Sequence, residues 1–223
     1  MTEPRSSLIV PLMKARVPAE VQLEFPLPAD EEPIRDPFAA DLYVTYALEI
    51  ADEGVPSGRR HEHVALRHCA ELGVQPEELR RRAVLNLRDR RPDLSLGWYP
   101  DVRAVTVSLG GTATTAAATA ATAAAGRGTL ESGLLLDEAF LEKLAQDVDG
   151  DLVVAVPARD VFVASGTGHP DGVDKLRWTV AQVWAGDRGD SGGGDGPWDV
   201  PAGSLLTHDL LIRRGTTWDV LQA

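Results

Sequence analysis

Apolar residues along the chain fall into short blocks separated by prolines, glycines and acidic clusters, and the period inside each block indicates its element. Alternating or β-branched runs predict strands, whereas apolar positions every three or four residues predict helices. The first stretch holds "SLIVPLMKARV" and "VQLEFPLPADEEPIRDPF". Prolines punctuate both, which favours edge strands or extended wrapping over helix. Residues 1–40 are therefore expected as a proline-rich extended segment, and 41–223 as one α+β domain. "DLYVTYALEI" has the β-branched and aromatic content of a strand, and a turn follows at "DEGVPSGRR". "EHVALRHCAELGV" predicts a strand end and a short helix closed by Gly73.

The clearest helix is "QPEELRRRAVLNLRDRRP". Pro76 stands in its first turn, two glutamates lie near the positive end of its dipole, arginines crowd its last turn, and Pro92 ends it. "LSLGWYP" and "VRAVTVSLG" then predict a hairpin around a Tyr-Pro-Asp turn, and "TLESGLLL" a third strand. "DEAFLEKLAQDV" predicts a helix capped by Asp137, with Phe140, Leu141 and Leu144 on one face. "DLVVAVPARDVFVAS" predicts two strands joined by Pro-Ala-Arg-Asp. In "HPDGVDKLRWTVAQVWAG", Val173, Leu176, Val180, Val183 and Trp184 make the apolar stripe of a third helix. "SLLTHDLLIRRGTTWDVL" closes the chain as a hairpin turning near Arg214-Gly215.

The order helix, three strands, helix, two strands, helix, hairpin predicts an α+β fold. Each helix has one apolar stripe to bury, so helices should cover an antiparallel sheet. The same order resembles the secretion-chaperone type of fold, whose members commonly bind polypeptide segments. Two stretches stand apart. "GTATTAAATAATAAAGRG", 111–128, has no large apolar side chain to bury and is expected as a flexible loop. The glycine-rich stretch 186–197 is expected as another.

Composition narrows the classes of partner. The 223 residues, 43% hydrophobic and 25% charged, are ordinary for a soluble globular protein. A net charge of -12 sets the field of the whole molecule against nucleic acid, so no nucleic-acid partner is expected. No apolar run is long enough to span a bilayer, and Pro11 and Pro18 break the amino-terminal stretch where a leader would need a continuous apolar block. The single cysteine, Cys69, excludes an intramolecular disulfide framework and fits a reducing compartment. A cytoplasmic location with no membrane partner is expected. Abundant alanine, and lysine only at Lys14, Lys143 and Lys175, fit a GC-rich bacterial genome.

The candidate chemistry is sparse. Pro157, Arg159 and Asp160 suit a tight reversal between strands. Proline and aspartate are explained by the turn alone, whereas the donor fork of Arg159 also suits a carboxylate, a chain terminus or a phosphate. Arg159 and Asp160 thus either stitch neighbouring loops together or recognise a ligand or partner. Asn86 shares a helix face with Leu79 and Ala83 and must find partners if buried, so a strand-pinning role is expected. His61, His63, His68 and Cys69 tempt a metal reading, yet they lack a recognised spacing, and His169 and His208 are isolated. No metal and no cofactor is assigned. The run from Arg80 to Arg91 is expected as a solvated helix face, and the glycines of "GTGHP" and "SGGGDG" lack a phosphate-loop context. Trp178 and Trp184 lie six positions apart on one helix and do not share a face closely, which leaves one for an interface. Trp178 is assigned to it.

Several segments, in order, resemble one family. "DLYVTYALEI", "PEELRRRAVLNL", "SGLLL" leading into "DEAFLEKL", "GDLVVAVPARDVFV" and "LLTHDLLIRRGTTWDV" are similar to the bacterial family of unknown function numbered 1444, the YtpQ-like uncharacterised proteins. The resemblance runs from about Ala40 to Val220 and is most specific at Val-Pro-Ala-Arg-Asp and at Asn86-Leu87. It implies a fold and no mechanism. The Ala/Thr-rich insertion and the glycine-rich loop before Trp198 depart from it.

These features lead to a non-catalytic accessory module that buries a protein or peptide segment against the sheet and the Trp-bearing helix, with Arg159 fixing a carboxylate or backbone group. The alternative is a small enzyme or ligand-binding protein with its pocket at the Arg159-Asp160 turn, using Asp160 and one histidine. A third reading places phosphate or RNA on Arg80 to Arg91.

Overall fold

The computed structural model describes residues 4–16, 27–54, 58–109, 130–187 and 204–222. The Ala/Thr-rich stretch 111–128 and residues 188–197 of the glycine-rich stretch lie outside them. The chain divides into two compact units, Met1–Arg90 and Arg91–Ala223.

In the first unit, β1 (Ile9–Ala15), β2 (Arg35–Pro37), β3 (Leu42–Ala51) and β4 (Arg59–His63) form an antiparallel sheet centred on β3. β1 pairs along one side of β3, from Ile9 against Leu48 to Ala15 against Leu42. On the other side β2 pairs with the first part of β3, and β4 with the second. Pro11 is tolerated because β1 is an edge strand. The expected division at residue 40 differs from this arrangement: β1 and β2 belong to the sheet of β3, and the chain divides at Arg90. Extended segments rich in proline look autonomous in a sequence, but their remaining backbone groups still seek a ladder. α1 (Leu66–Leu72) ends at Gly73, whose φ of 64° places it in the left-handed conformation of a helix cap. After a 3-10 turn at Pro76–Glu78 comes α2 (Leu79–Arg90), which buries Leu79, Ala83 and Leu87 at four-residue intervals.

In the second unit, β5 (Leu94–Tyr99), β6 (Ala104–Leu109), β7 (Leu152–Ala155), β8 (Phe162–Gly166), β9 (Leu210–Arg214) and β10 (Thr217–Val220) form one antiparallel sheet in the order β10-β9-β7-β8-β6-β5. α3 (Glu138–Gln146) and α4 (Pro170–Asp187) cover its two faces. Val173, Leu176, Val180 and Val183 of α4 pack on Val153, Ala155, Val163, Leu210 and Ile212. Phe162, which points to the opposite face from Val163, meets Phe140 of α3 edge-on at 5.9 Å. Asp137 accepts a 3.0 Å hydrogen bond from the Phe140 amide and caps α3. The fold is thus α+β, with antiparallel sheets and helices packed on them.

One predicted strand is replaced. Glu131–Leu136 is a 3-10 helix with all six residues buried, entered through Leu130 at φ 64°. A short apolar run without alternation does not separate a buried strand from a buried helical turn. Here the neighbouring turn decides, since the Ser132 amide donates to the Arg159 carbonyl at 2.9 Å instead of joining a ladder. The order from α2 is therefore helix, two strands, 3-10 segment, helix, two strands, helix, hairpin.

Candidate functional site

The Pro157–Asp160 turn joins β7 to β8 and is bonded to two other segments. Its Ala158 bridges Leu205, the Arg159 amide donates to Ser204 O at 3.0 Å, and the Leu206 amide donates to Pro157 O at 2.8 Å. The Arg159 carbonyl receives Ser132, and Asp160 Oδ1 accepts from the Leu130 amide at 3.2 Å. Pro157 is buried and lacks only the donor that the turn does not use. The backbone of this turn and the Asp160 carboxylate therefore stitch segments 130–132 and 204–206 to the end of the sheet.

Trp178 lies on α4. It projects from α4 and is 45% exposed, while Trp184, on the same helix, packs against the core and stacks on His208 with ring centroids 3.6 Å apart. The Lys175 ammonium lies 3.7 Å from the Trp178 ring centroid and 5.2 Å from that of Tyr99, a cation–π arrangement linking α4 to β5. Tyr99 pairs with Ala104 at the far end of β8 from Asp160. The five-residue length of β8 separates the two places by roughly 16 Å at about 3.3 Å per residue. Tyr99 and the Arg159-Asp160 turn therefore lie at opposite ends of β8.

What gathers beside Trp178 is β5, an edge of the sheet. Trp98 pairs with Val105 and Leu96 with Val107, which puts both on the α3 side, and they are 37% and 39% exposed. Tyr99 faces the α4 side. A strand with exposed apolar groups on one face and an aromatic–ammonium cluster beyond the other can take an added strand or an apolar segment. Sequence reasoning read "LSLGWYP" as half of a hairpin, which it is, and did not single it out as an edge strand with exposed apolar groups. The signal was the absence of any charge in six residues.

The other polar candidates are engaged in the first unit. Asn86 donates to Ser6 O and Ile9 O, both at 2.9 Å, and so holds the entry to β1 against α2. Glu49, a carboxylate within the apolar run of β3, is fully buried; its Oε2 accepts from Arg59 Nη1 at 3.1 Å and Arg90 Nε at 3.0 Å, and His61 Nε2 lies 3.6 Å from Oε1. Sequence reasoning missed this cluster, although a glutamate among the buried positions of "YALEI" was its mark. Tyr46 donates from its hydroxyl to Asp36 of β2. Burial raises the Tyr46 phenol well above its ordinary pKa, the Asp36 hydrogen bond and charge raise it further, and Arg80 opposes the shift.

His68 Nδ1 accepts from the Ala65 amide at the start of α1. Cys69 is buried, and desolvation followed by the charge of Glu77 raises its thiol pKa. Among the described residues no group of three histidine, cysteine, aspartate or glutamate side chains is arranged to hold a metal, and no helix is long and apolar enough to cross a membrane. Of the arginine run, Arg90 is drawn to Glu49 and Arg91 is buried, so it is not a continuous exposed stripe. No protein-family model, curated protein or solved structure matches this chain.

Proposed function

We propose that the chain is a non-catalytic, cytoplasmic bacterial module that binds a protein or peptide partner on the β5–α4 side of its second unit. The kinship with family 1444 and the chaperone-like character of the fold belong to the same proposal. One observation carries it: Leu96 and Trp98 are exposed on one face of the edge strand β5, and on its other side Trp178 of α4 is exposed and linked to Tyr99 of β5 through Lys175. Scattered apolar residues on a surface need no explanation, but a group of them with two tryptophans is the composition of an interface centre. The net charge of -12 supports a polypeptide over a polyphosphate partner.

The test is affinity capture from host lysate with wild type, Trp178→Ser, and the Arg159→Ala, Asp160→Ala double variant, each with its unfolding transition measured. Loss of a tryptophan anchor at an interface costs about 2 kcal/mol, roughly thirtyfold in affinity. A partner held by wild type and by the double variant but lost with folded Trp178→Ser supports the proposal. No specific partner, or one that Trp178→Ser holds equally, sinks it.

A further inference from the structure

Edge strands present a row of backbone donors and acceptors that another chain can pair with, and proteins guard them with charge, proline, shortness or cover. The other outer strands described here carry such guards. β1 contains Pro11 and Lys14; β2 has three residues and ends at Pro37; β4 reads Arg-Arg-His-Glu-His; β10 has four residues and includes Asp219. β5 has six residues, Leu-Ser-Leu-Gly-Trp-Tyr, with neither charge nor proline. Among the described residues it pairs with β6 alone.

We propose that β5 is a dimerisation strand, which a second copy of the chain joins antiparallel about a two-fold axis at Leu96, making one continuous sheet of the two. This rests on the binding reading above and names the chain itself as one partner. Residues directly opposite in an antiparallel pair share a face. A two-fold axis normal to the sheet keeps the α3-side faces of both copies together, so it must pass through a residue position. Centred on Leu96, it sets Leu94 against Trp98 of the second copy, Leu96 against Leu96, and Trp98 against Leu94. That is an unbroken apolar ladder. On the other face Ser95 meets Gly97, and Asp93 meets Tyr99. Centred on Gly97 it would oppose Asp93 and Asp101 at both ends, which like charges disfavour. Centred on Leu96, β5 brings no charge of its own into the seam between two copies that each carry -12, and the Asp93 carboxylates stand at its two ends, each opposite a tyrosine.

Sedimentation equilibrium of the full chain over a wide concentration range is the test. Wild type is expected to dimerise, with Kd at least about threefold lower at 0.5 M than at 0.05 M salt, because salt screens the mutual repulsion. A cationic peptide on the same edge would respond in the opposite direction. Leu96→Lys sets two ammonium groups against each other on the axis and is expected to give a monomer whose unfolding transition matches that of wild type at concentrations below the wild-type Kd, since the position is exposed. Leu85→Lys, at a still more exposed leucine on α2, is expected to stay dimeric. In a Cys69→Ser background, oxidation of Leu96→Cys is expected to link the two copies covalently, while Leu85→Cys does not link. A wild type that is monomeric throughout, a dimer that folded Leu96→Lys leaves intact, or a dimer that Leu96→Cys fails to link overturns the proposal. If wild type is monomeric yet Trp178-dependent capture persists, the binding reading stands and only this inference falls.

Discussion

The Asp160 carboxylate receives the amide of Leu130, the left-handed residue that opens the 3-10 segment. Asp160→Ala leaves that amide without its acceptor, at about 1–2 kcal/mol. Urea unfolding is expected to show this loss, while capture of partner per folded molecule stays at the wild-type level; reduced capture would return the turn to the binding surface. Tyr46 makes a prediction in pH. Its folded-state pKa is raised above the ordinary 10.0 of the unfolded chain. Below that value both states hold the proton and the contribution to stability is fully present; above it the unfolded chain releases the proton first, and stability falls. Tyr46→Phe is therefore expected to flatten the alkaline limb of stability against pH, and equal slopes in the two proteins would refute it. The turn, the cap at Asp137 and the need of Asn86 for partners were legible residue by residue, because each obeys a local rule. The Glu49 cluster was not, since Arg59 and Arg90 come from β4 and α2 and no local spacing links them.

At the scale of elements, the α4 stripe and the β3 strand follow from period and composition. The packing of α4 depends on something a stripe does not contain. Gly172 in its first turn lies so close to β8 that an added Cβ would overlap Ser165 Oγ and sit 2.7 Å from Val102 O. Ser165 Oγ meanwhile donates to Arg103 O at 2.9 Å. Gly172→Ala must displace the helix start or that bond, and overpacking of this kind costs about 2 kcal/mol. The expected result is a lower urea midpoint with an unchanged m-value; a wild-type midpoint would show that α4 shifts freely. The predicted strand at "TLESGLLL" fails at this same scale. Three adjacent leucines are buried whichever way the backbone runs, and bonds to distant groups, among them Ser132 to the Arg159 carbonyl, Leu130 to Asp160 and Leu109 to the Glu131 carboxylate, accompany the 3-10 turn.

For the whole molecule, net charge acts at long range and pattern does not. A field of -12 governs which partners approach and how association responds to salt, as the β5 proposal requires. Division of the chain is also a property of the whole. β1 joins β3 across the expected boundary through residues 27 to 39 positions apart, and the chain divides instead after Arg90.

Hydrophobic period, proline and glycine placement and charge were sufficient for the α+β class and, among the described residues, for the four α-helices and most strands. Each depends on neighbours within one or two turns of chain. Strand order, the 3-10 segment and the buried Glu49 were decided only when distant segments met. The same holds for β5. Its lack of charge is visible in the sequence, but its place at the edge of the sheet follows from β6 pairing with β8 on its other side.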